Sequence, residues 1–332
     1  MLYLLLVLGL VLLVVGGEAL VRGASALAGR LGVSPLLIGL TVVGFGTSTP
    51  ELVTSLQAAF AGSPGIAVGN VVGSNIANIL LILGVAAVLG PFAVDRCAFG
   101  RNGTVLVVAT IACAVAIWSG ALSRPAGTAL VICLVVYLVY AYRSERVAAS
   151  DAAGSVEAGQ RDAAASAAPI AASDRSPPTL PSMPLTIAAF WTLGGIALTV
   201  LGARLLVDAA IELATLWDVP DAVVGLTIVA VGTSLPELVT SVVAAIRREG
   251  DIAFGNVVGS NIYNVLGILG ITSLARPIPV PDQIASFDVW VLIAATGALV
   301  AVAVTGWRVT RREGVALLLA YTCYVGWMGL AL

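Results

Sequence analysis

Long apolar stretches alternate with short polar breaks over nearly the whole chain. An apolar run of about 18 or more residues, rising 1.5 Å per residue as a helix, is long enough to cross the hydrocarbon core of a bilayer. The pattern predicts ten such spans, near residues 2–26, 35–60, 66–90, 102–121, 125–142, 185–215, 221–246, 252–275, 286–306 and 314–331. The first run has no basic segment ahead of it and continues through Gly16-Gly17-Glu18 without a small-residue cleavage motif, so it reads as a retained span rather than a signal peptide. Residues 143–184 break the pattern: they are mostly Ala, Ser, Asp, Arg and Pro, without apolar periodicity, and include Pro177-Pro178 and Pro181. Such a composition buries too little surface to offset its ordering entropy, and it predicts a disordered linker.

An internal repeat organises the spans. Gly39 to Gly84 aligns without a gap on Gly225 to Gly270, with roughly two-thirds of the positions identical. Gly46-Thr47-Ser48-Thr49-Pro50-Glu51-Leu52-Val53-Thr54-Ser55 stands against Gly232-Thr233-Ser234-Leu235-Pro236-Glu237-Leu238-Val239-Thr240-Ser241. Gly69-Asn70-Val71-Val72-Gly73-Ser74-Asn75-Ile76 stands against Gly255-Asn256-Val257-Val258-Gly259-Ser260-Asn261-Ile262. Five spans per half is an odd number, so the second half enters the membrane with the opposite orientation. The expected fold is an all-α membrane protein of ten transmembrane helices in two inverted five-helix repeats, residues 1–142 and 185–332, joined by the linker 143–184. Inverted repeats of this kind are a transporter architecture, with the binding site near the midplane where the repeats meet.

Composition narrows the chemistry. Of the 332 residues 59% are hydrophobic and 10% charged, against about 25% charged in soluble chains, which excludes a water-soluble globule. All 16 basic residues are Arg, and there is no His; this removes His-ligated zinc, His general bases and Ser-His-Asp triads. The repeated Ser residues lie beside Pro-Glu rather than a base, so an intramembrane hydrolase has no supporting constellation and no enzyme is expected. A net charge of −2 without a basic run gives no footprint for nucleic acid. Cys97, Cys113, Cys133 and Cys323 are far apart and read as small packing residues. No cofactor and no obligate protein partner are implied beyond the bilayer. With the N-terminus outside, Arg30, Arg96, Arg101, Arg143, Arg146, Arg247, Arg248, Arg308, Arg311 and Arg312 fall on the cytoplasmic side, and Arg124 and Arg276 face out. That bias predicts a multi-pass protein of the cell (inner or plasma) membrane with both termini outside and the linker in the cytoplasm.

The repeated motifs carry the expected chemistry. Pro50 lacks an N–H and clashes with the carbonyl of Gly46, and Pro236 does the same to Gly232, so each helix breaks there and releases carbonyl oxygens. In lipid those oxygens need partners, and a cation is one of the few on offer at that depth. Thr47 and Glu51 are four residues apart and share a helical face, with Ser48 and Ser55 close to it. On the following spans Ser74 and Asn78, and Ser260 and Asn264, are also four apart. Two carboxylates with hydroxyls, amides and carbonyls form an all-oxygen set that suits Ca²⁺ and equally suits Na⁺. An ionised Glu at the bilayer centre costs at least about 2.5 to 3.5 kcal/mol; a divalent cation neutralises Glu51 and Glu237 together, several monovalent ions can replace it, and a proton on one Glu is the rival neutraliser. Glu18 and Glu212 read as structural hydrogen-bonding residues, and Arg22 and Asp208 as packing contacts, with no ion-binding role.

The paired motifs resemble the two alpha-repeats of the cation/calcium antiporter superfamily, in particular prokaryotic sodium/calcium exchangers. The resemblance implies electrogenic exchange of several Na⁺ for one Ca²⁺ by alternating access, the first and sixth spans sliding across a core of the other eight. Carried over by motif position, it assigns Glu51, Glu237, Thr47 and Thr233 to a calcium site. It assigns Ser48, Ser74, Ser234 and Ser260, with the carbonyls of Gly44 and Ala230, to flanking sodium sites, and Asn78 and Asn264 to a central pair. Several prokaryotic exchangers and the potassium-dependent branch carry Asp where this chain has Asn264, so the resemblance argues against coupling to K⁺. Proton/calcium antiport is the alternative; proton-coupled relatives carry a Gly-Asn-x-x-Glu pattern that this sequence lacks.

Overall fold

The computed structural model describes residues 2–144, 183–217 and 230–330. In chain order the helices are α1 (Leu2–Leu31), α2 (Pro35–Thr47), α3 (Thr49–Phe60), α4 (Pro64–Leu89), α5 (Arg96–Trp118), α6 (Arg124–Ser144), α7 (Leu185–Leu216), α8 (Leu235–Ile246), α9 (Gly250–Ala275), α10 (Ile284–Val304) and α11 (Arg311–Leu330), with a helical turn at Ala230–Gly232 before α8. Seven of them (α1, α4, α5, α6, α7, α9 and α10) are long and apolar enough to cross a membrane, and the α2–α3 pair, bent by 43° at Ser48, makes an eighth if counted as one span. The described residues thus carry seven to eight of the ten expected spans. Part of the span expected near 221–246, and all but the ends of the linker 143–184, lie outside the described residues.

Local sequence explains the helix ends. Gly32 adopts φ +63 and closes α1, with Val33 N donating to Ala28 O at 3.1 Å in the manner of a Schellman cap. Ser34 Oγ then accepts from Leu37 N, and Pro35 opens α2, where its missing N–H costs nothing. The helix α5 starts at Arg96, six residues before the expected span, because Asp95 Oδ1 accepts from Ala98 N at 2.6 Å and caps it there. Among the described residues four helices contain π-helical turns, at Gly39–Val43, Asn78–Ile82, Asn264–Leu269 and Ile284–Asp288. None of the four contains a proline, and hydropathy is blind to them.

Two short antiparallel ribbons tie the loops together. β1 (Phe92–Ala93) pairs with β4 (Arg308–Val309), and β2 (Ala121–Leu122) pairs with β3 (Ile278–Pro279). The first ribbon lies beside the α8–α9 turn, where a Cβ on Gly250 would stand 2.5 Å from Phe92 Cβ. The second lies beside the α3–α4 turn, where Arg276 Nη1 donates to Phe60 O at 2.7 Å. The loops therefore gather at two separate ends of the molecule.

α4 and α9 are the most buried helices, and most of the large apolar core packs around them. The most extensive helix pairing is between α1 and α7, which run antiparallel. Their seam is built from heptad-spaced glycines. A Cβ on Gly16 would sit 2.6 Å from Thr199 N, one on Gly195 2.4 Å from Leu20 N, and one on Gly202 2.7 Å from Gly9 O. In lipid, where helices gain nothing from hiding apolar surface, such close backbone approach is what holds a pair together. Glu18 joins Arg22 within α1 and Arg247 at the end of α8, in keeping with a structural role. Of the cysteines only Cys113 is buried; Cys97, Cys133 and Cys323 are exposed, so the packing role expected of all four holds for one.

Candidate ion-binding site

The two Gly-Thr-Ser-x-Pro-Glu motifs fold alike. Ser48 (φ −81, ψ 11) and Ser234 (φ −89, ψ 8) occupy matching breaks, each followed by a helix with proline in its first turn. In both, proline therefore sits where a helix tolerates it, and the serine two residues before it leaves helical geometry instead. The breaks place Glu51 and Glu237 one turn into α3 and α8, near the positive ends of those helices' dipoles.

The carboxylates reach across the molecule to each other's motif. Ser48 Oγ donates to Glu237 Oε1 at 2.7 Å, and Ser234 Oγ donates to Glu51 Oε1 at 3.2 Å. Both glutamates are fully enclosed, at 0% and 1% exposure. Their second oxygens, Glu51 Oε2 and Glu237 Oε2, have no hydrogen-bond partner among the described residues. A buried carboxylate oxygen without a donor is costly, and here two such oxygens occur at equivalent positions.

The remaining expected site residues cluster around the pair. Thr47 Oγ1 donates within its helix to Val43 O and Gly44 O and lies 3.3 Å from Asn256 Oδ1, whereas Thr233 Oγ1 has no partner among the described residues. Ser260 Oγ donates to Gly44 O at 3.3 Å, which brings a serine of the second copy to a backbone carbonyl of the first that also accepts from Ser48 N at 3.1 Å. Ser74 Oγ donates to Val71 O and accepts from Asn264 Nδ2 at 3.1 Å. Asn264 Nδ2 also donates to Asn75 Oδ1 at 3.0 Å, and among the described residues Asn264 Oδ1 and both polar atoms of Asn78 have no partner. Ala230 lies in the helical turn just before the second break. Asn78 and Asn264 each open a π-helical turn, a distortion found often at functional sites. No group of three or more Cys, Asp or Glu side chains suited to a metal occurs among the described residues. Two carboxylates among neutral oxygens form a donor set for hard cations.

The architecture and sequence compare closely with known transporters. The family described as "Sodium/calcium exchanger protein" matches residues 1–143 and 187–330. The chain belongs to the sodium/calcium exchanger family. The sodium/calcium exchanger MaX1 of Methanosarcina acetivorans is 36% identical over 347 residues, covering 97% of each chain. The putative antiporter CaxA of Alkalimonas amylolytica is 35% identical over 322 residues, covering 95% of each. Among solved structures, the sodium-calcium exchanger NCX_Mj soaked with 2.5 mM Na⁺ and 10 mM Sr²⁺ superposes with a TM-score of 0.80 at 32% identity, covering 98% of this chain and 99% of that one. This exchanger is therefore a membrane antiporter of Na⁺ and Ca²⁺ rather than an enzyme, and it needs no cofactor.

Asn70, Asn256 and Ser241, beside this cluster, were not singled out from the sequence, whereas Ser55 was. Asn70 Nδ2 donates to Glu51 O at 3.0 Å and Ser55 Oγ at 2.9 Å; Asn256 Nδ2 donates to Glu237 O at 3.2 Å and Ser241 Oγ at 2.9 Å. These mirrored clamps fasten each glutamate helix to the next helix, and recurrence of Asn and Ser in both copies was the available signal. Gly255 and Gly259 let α9 lie against α2: a Cβ on Gly259 would stand 2.2 Å from Leu40 O, and one on Gly255 2.7 Å from Leu36 O.

Proposed function

We propose that this exchanger moves Na⁺ and Ca²⁺ in opposite directions by alternating access at one site centred on Glu51 and Glu237. The observation that carries the reading is the reciprocal exchange of Ser48–Glu237 and Ser234–Glu51 hydrogen bonds, with one oxygen of each carboxylate left over. A Ca²⁺ between the two Oε2 atoms cancels both charges, with Thr47 and Thr233 as neutral ligands. Na⁺ ions occupy positions lined by Ser48, Ser74, Ser234, Ser260 and the carbonyls of Gly44 and Ala230. They compete for the same carboxylates, so the two cargoes exclude each other, which is what antiport requires. Asn78 and Asn264 form the centre. With Asn rather than Asp at 264, that centre adds no charge, and transport is independent of K⁺.

The reading includes ten spans in two inverted halves, 1–142 and 185–332, joined through 143–184. Two contacts between residues 186 positions apart support it: Thr110 and Thr296 hydroxyls lie 3.1 Å from each other, and Asn75 Nδ2 donates to Asn261 O. Residues touch their own equivalents only near an axis that exchanges the halves. The end carrying Arg96, Arg101, Arg247, Arg248, Arg308, Arg311 and the start of the linker is cytoplasmic, both termini are outside, and the protein lies in the cell membrane without an obligate protein partner. The glycine seam makes α1 and α7 one body that slides over the rest.

The test is ⁴⁵Ca²⁺ uptake into sodium-loaded vesicles. Wild type takes up Ca²⁺ down the outward Na⁺ gradient, and Glu51→Gln or Glu237→Gln reduces uptake to background. Uptake that follows a pH gradient and ignores Na⁺ overturns the sodium coupling.

A further inference from the structure

The end of the molecule built from the β1–β4 ribbon and the α8–α9 turn holds a cleft of about 770 Å³, well away from the ion site. Three loops line it: residues 89–93 after α4, 245–251 around the α8–α9 turn, and Arg308 with Arg311 before and at the start of α11. Its walls carry both signs of charge. The guanidinium groups of Arg248, Arg308 and Arg311 and the carboxylates of Glu249 and Asp251 share one cavity. Among the described residues, none of the five forms an ion pair or a side-chain hydrogen bond. Groups of opposite charge placed in one cavity, yet not brought into contact with each other, suit a ligand that carries both charges itself.

The internal repeat supplies a control for what the fold alone requires. In the first copy, Gly62 ends α3 with φ +76, and Ser63 N donates to Ala58 O. In the second copy the same cap ends α8, with Glu249 N donating to Ala244 O, but the left-handed position is filled by Arg248 at φ +62. An L side chain there is strained by about 1 kcal/mol or more relative to glycine. Gly62, Ser63, Gly65 and, by ribbon register, Ala121 stand where the cleft has Arg248, Glu249, Asp251 and Arg308. The scaffold forms at the other end without these four charges, so they are surplus to folding; the same register sets Arg311 against Arg124, an arginine common to both ends.

The position of the cleft says where the ligand comes from. Leu89 and Ile246 on its wall are 47% and 64% exposed, so the polar floor is rimmed by side chains suited to acyl chains. We infer that this cleft binds the headgroup of an aminophospholipid, with the phosphate between Arg248, Arg308 and Arg311 and the ammonium at Glu249 and Asp251. The orientation proposed above puts this lipid in the cytoplasmic leaflet; the binding itself does not depend on the ion-exchange reading. The bound headgroup would bridge all three loops, adding to the β1–β4 ribbon and to the packing of Gly90 and Phe92 on Ala245 and Gly250.

Native mass spectrometry of the full-length protein, released from mixed micelles holding equal amounts of phosphatidylethanolamine, phosphatidylglycerol and phosphatidylcholine, tests this. Wild type is expected to retain phosphatidylethanolamine in preference to both others. Arg248→Gly, which relieves the backbone and so keeps the fold, is expected to lose that preference, as is Arg308→Ala. Glu249→Gln with Asp251→Asn is expected to shift retention from phosphatidylethanolamine to phosphatidylglycerol. Equal retention of the three lipids, a wild-type preference for phosphatidylglycerol, or a wild-type profile in Arg248→Gly overturns the proposal. Binding of soluble phosphoethanolamine without retention of the lipid overturns the lipid assignment.

Discussion

At the scale of single residues, the distinctive feature is that each serine in a helix break bonds the glutamate of the opposite motif. Ser48 serves Glu237 and Ser234 serves Glu51, so neither half forms the site alone. Removing one of these hydroxyls removes an interaction worth about 1.5 kcal/mol, at the lower end for hydrogen bonds to charged groups, and about 1.4 kcal/mol is a factor of ten in affinity. Ser48→Ala is therefore expected to raise the half-saturating Na⁺ for exchange about tenfold, with a smaller change in half-saturating Ca²⁺. Concentration-dependent flux in proteoliposomes measures both, and an unchanged Na⁺ dependence removes Ser48 from the sodium sites. Composition pointed to oxygen-only chemistry, because a chain without His has no imidazole to offer. It did not point to Asn70 and Asn256, whose Nδ2 groups each donate to a backbone carbonyl and a serine.

At the scale of elements, close approach decides more than hydrophobicity does. Nearly every helix here is apolar, so apolarity cannot choose partners; glycines at the contacts do. Gly259→Ala drives a methyl to 2.2 Å from Leu40 O, and overpacking of this kind costs about 1 to 3 kcal/mol. That variant is expected to melt at a lower temperature in detergent than wild type. Gly29→Ala, at an exposed helical position with nothing nearby, is expected to melt at the same temperature or higher, since alanine favours a helix by up to about 1 kcal/mol over glycine. A thermal shift comparison of the two checks the distinction. Element boundaries were legible where a cap or proline marks them, as at Ser34-Pro35 and Pro50. The π-helical turns were not, because the register slip at Asn78 and Asn264 serves the packing of the centre and leaves no mark in the pattern of apolar residues.

At the scale of the whole molecule, the ribbons separate the loops into two ends, and the arginines concentrate at one of them. If that end is cytoplasmic, the exposed Cys97, next to Arg96 at the start of α5, faces the cytoplasm. A variant retaining only that cysteine is expected to react with a membrane-impermeant maleimide in inside-out vesicles and to be protected in right-side-out ones. The opposite pattern inverts the proposed topology. Charge at helix ends predicts orientation because translocating arginine is costly whatever the fold. It says nothing about which loops meet.

The sequence alone determined that long apolar helical segments follow one another along the chain, the repeat and the two frames in which Glu51 and Glu237 recur. These are local or periodic properties, set by helix geometry, the missing N–H of proline and the cost of polar groups in lipid. Tertiary structure alone decided that the serines cross over to the opposite glutamate, that Asn264 bonds Ser74 while Asn78 has no partner among the described residues, and that α1 pairs with α7 along glycines. The same holds for the charged cleft, assembled from three loops that lie far apart in the chain. The physical reason is that contacts between distant segments depend on which surfaces come close enough to touch, and a linear pattern of apolar and polar residues holds no measure of that distance.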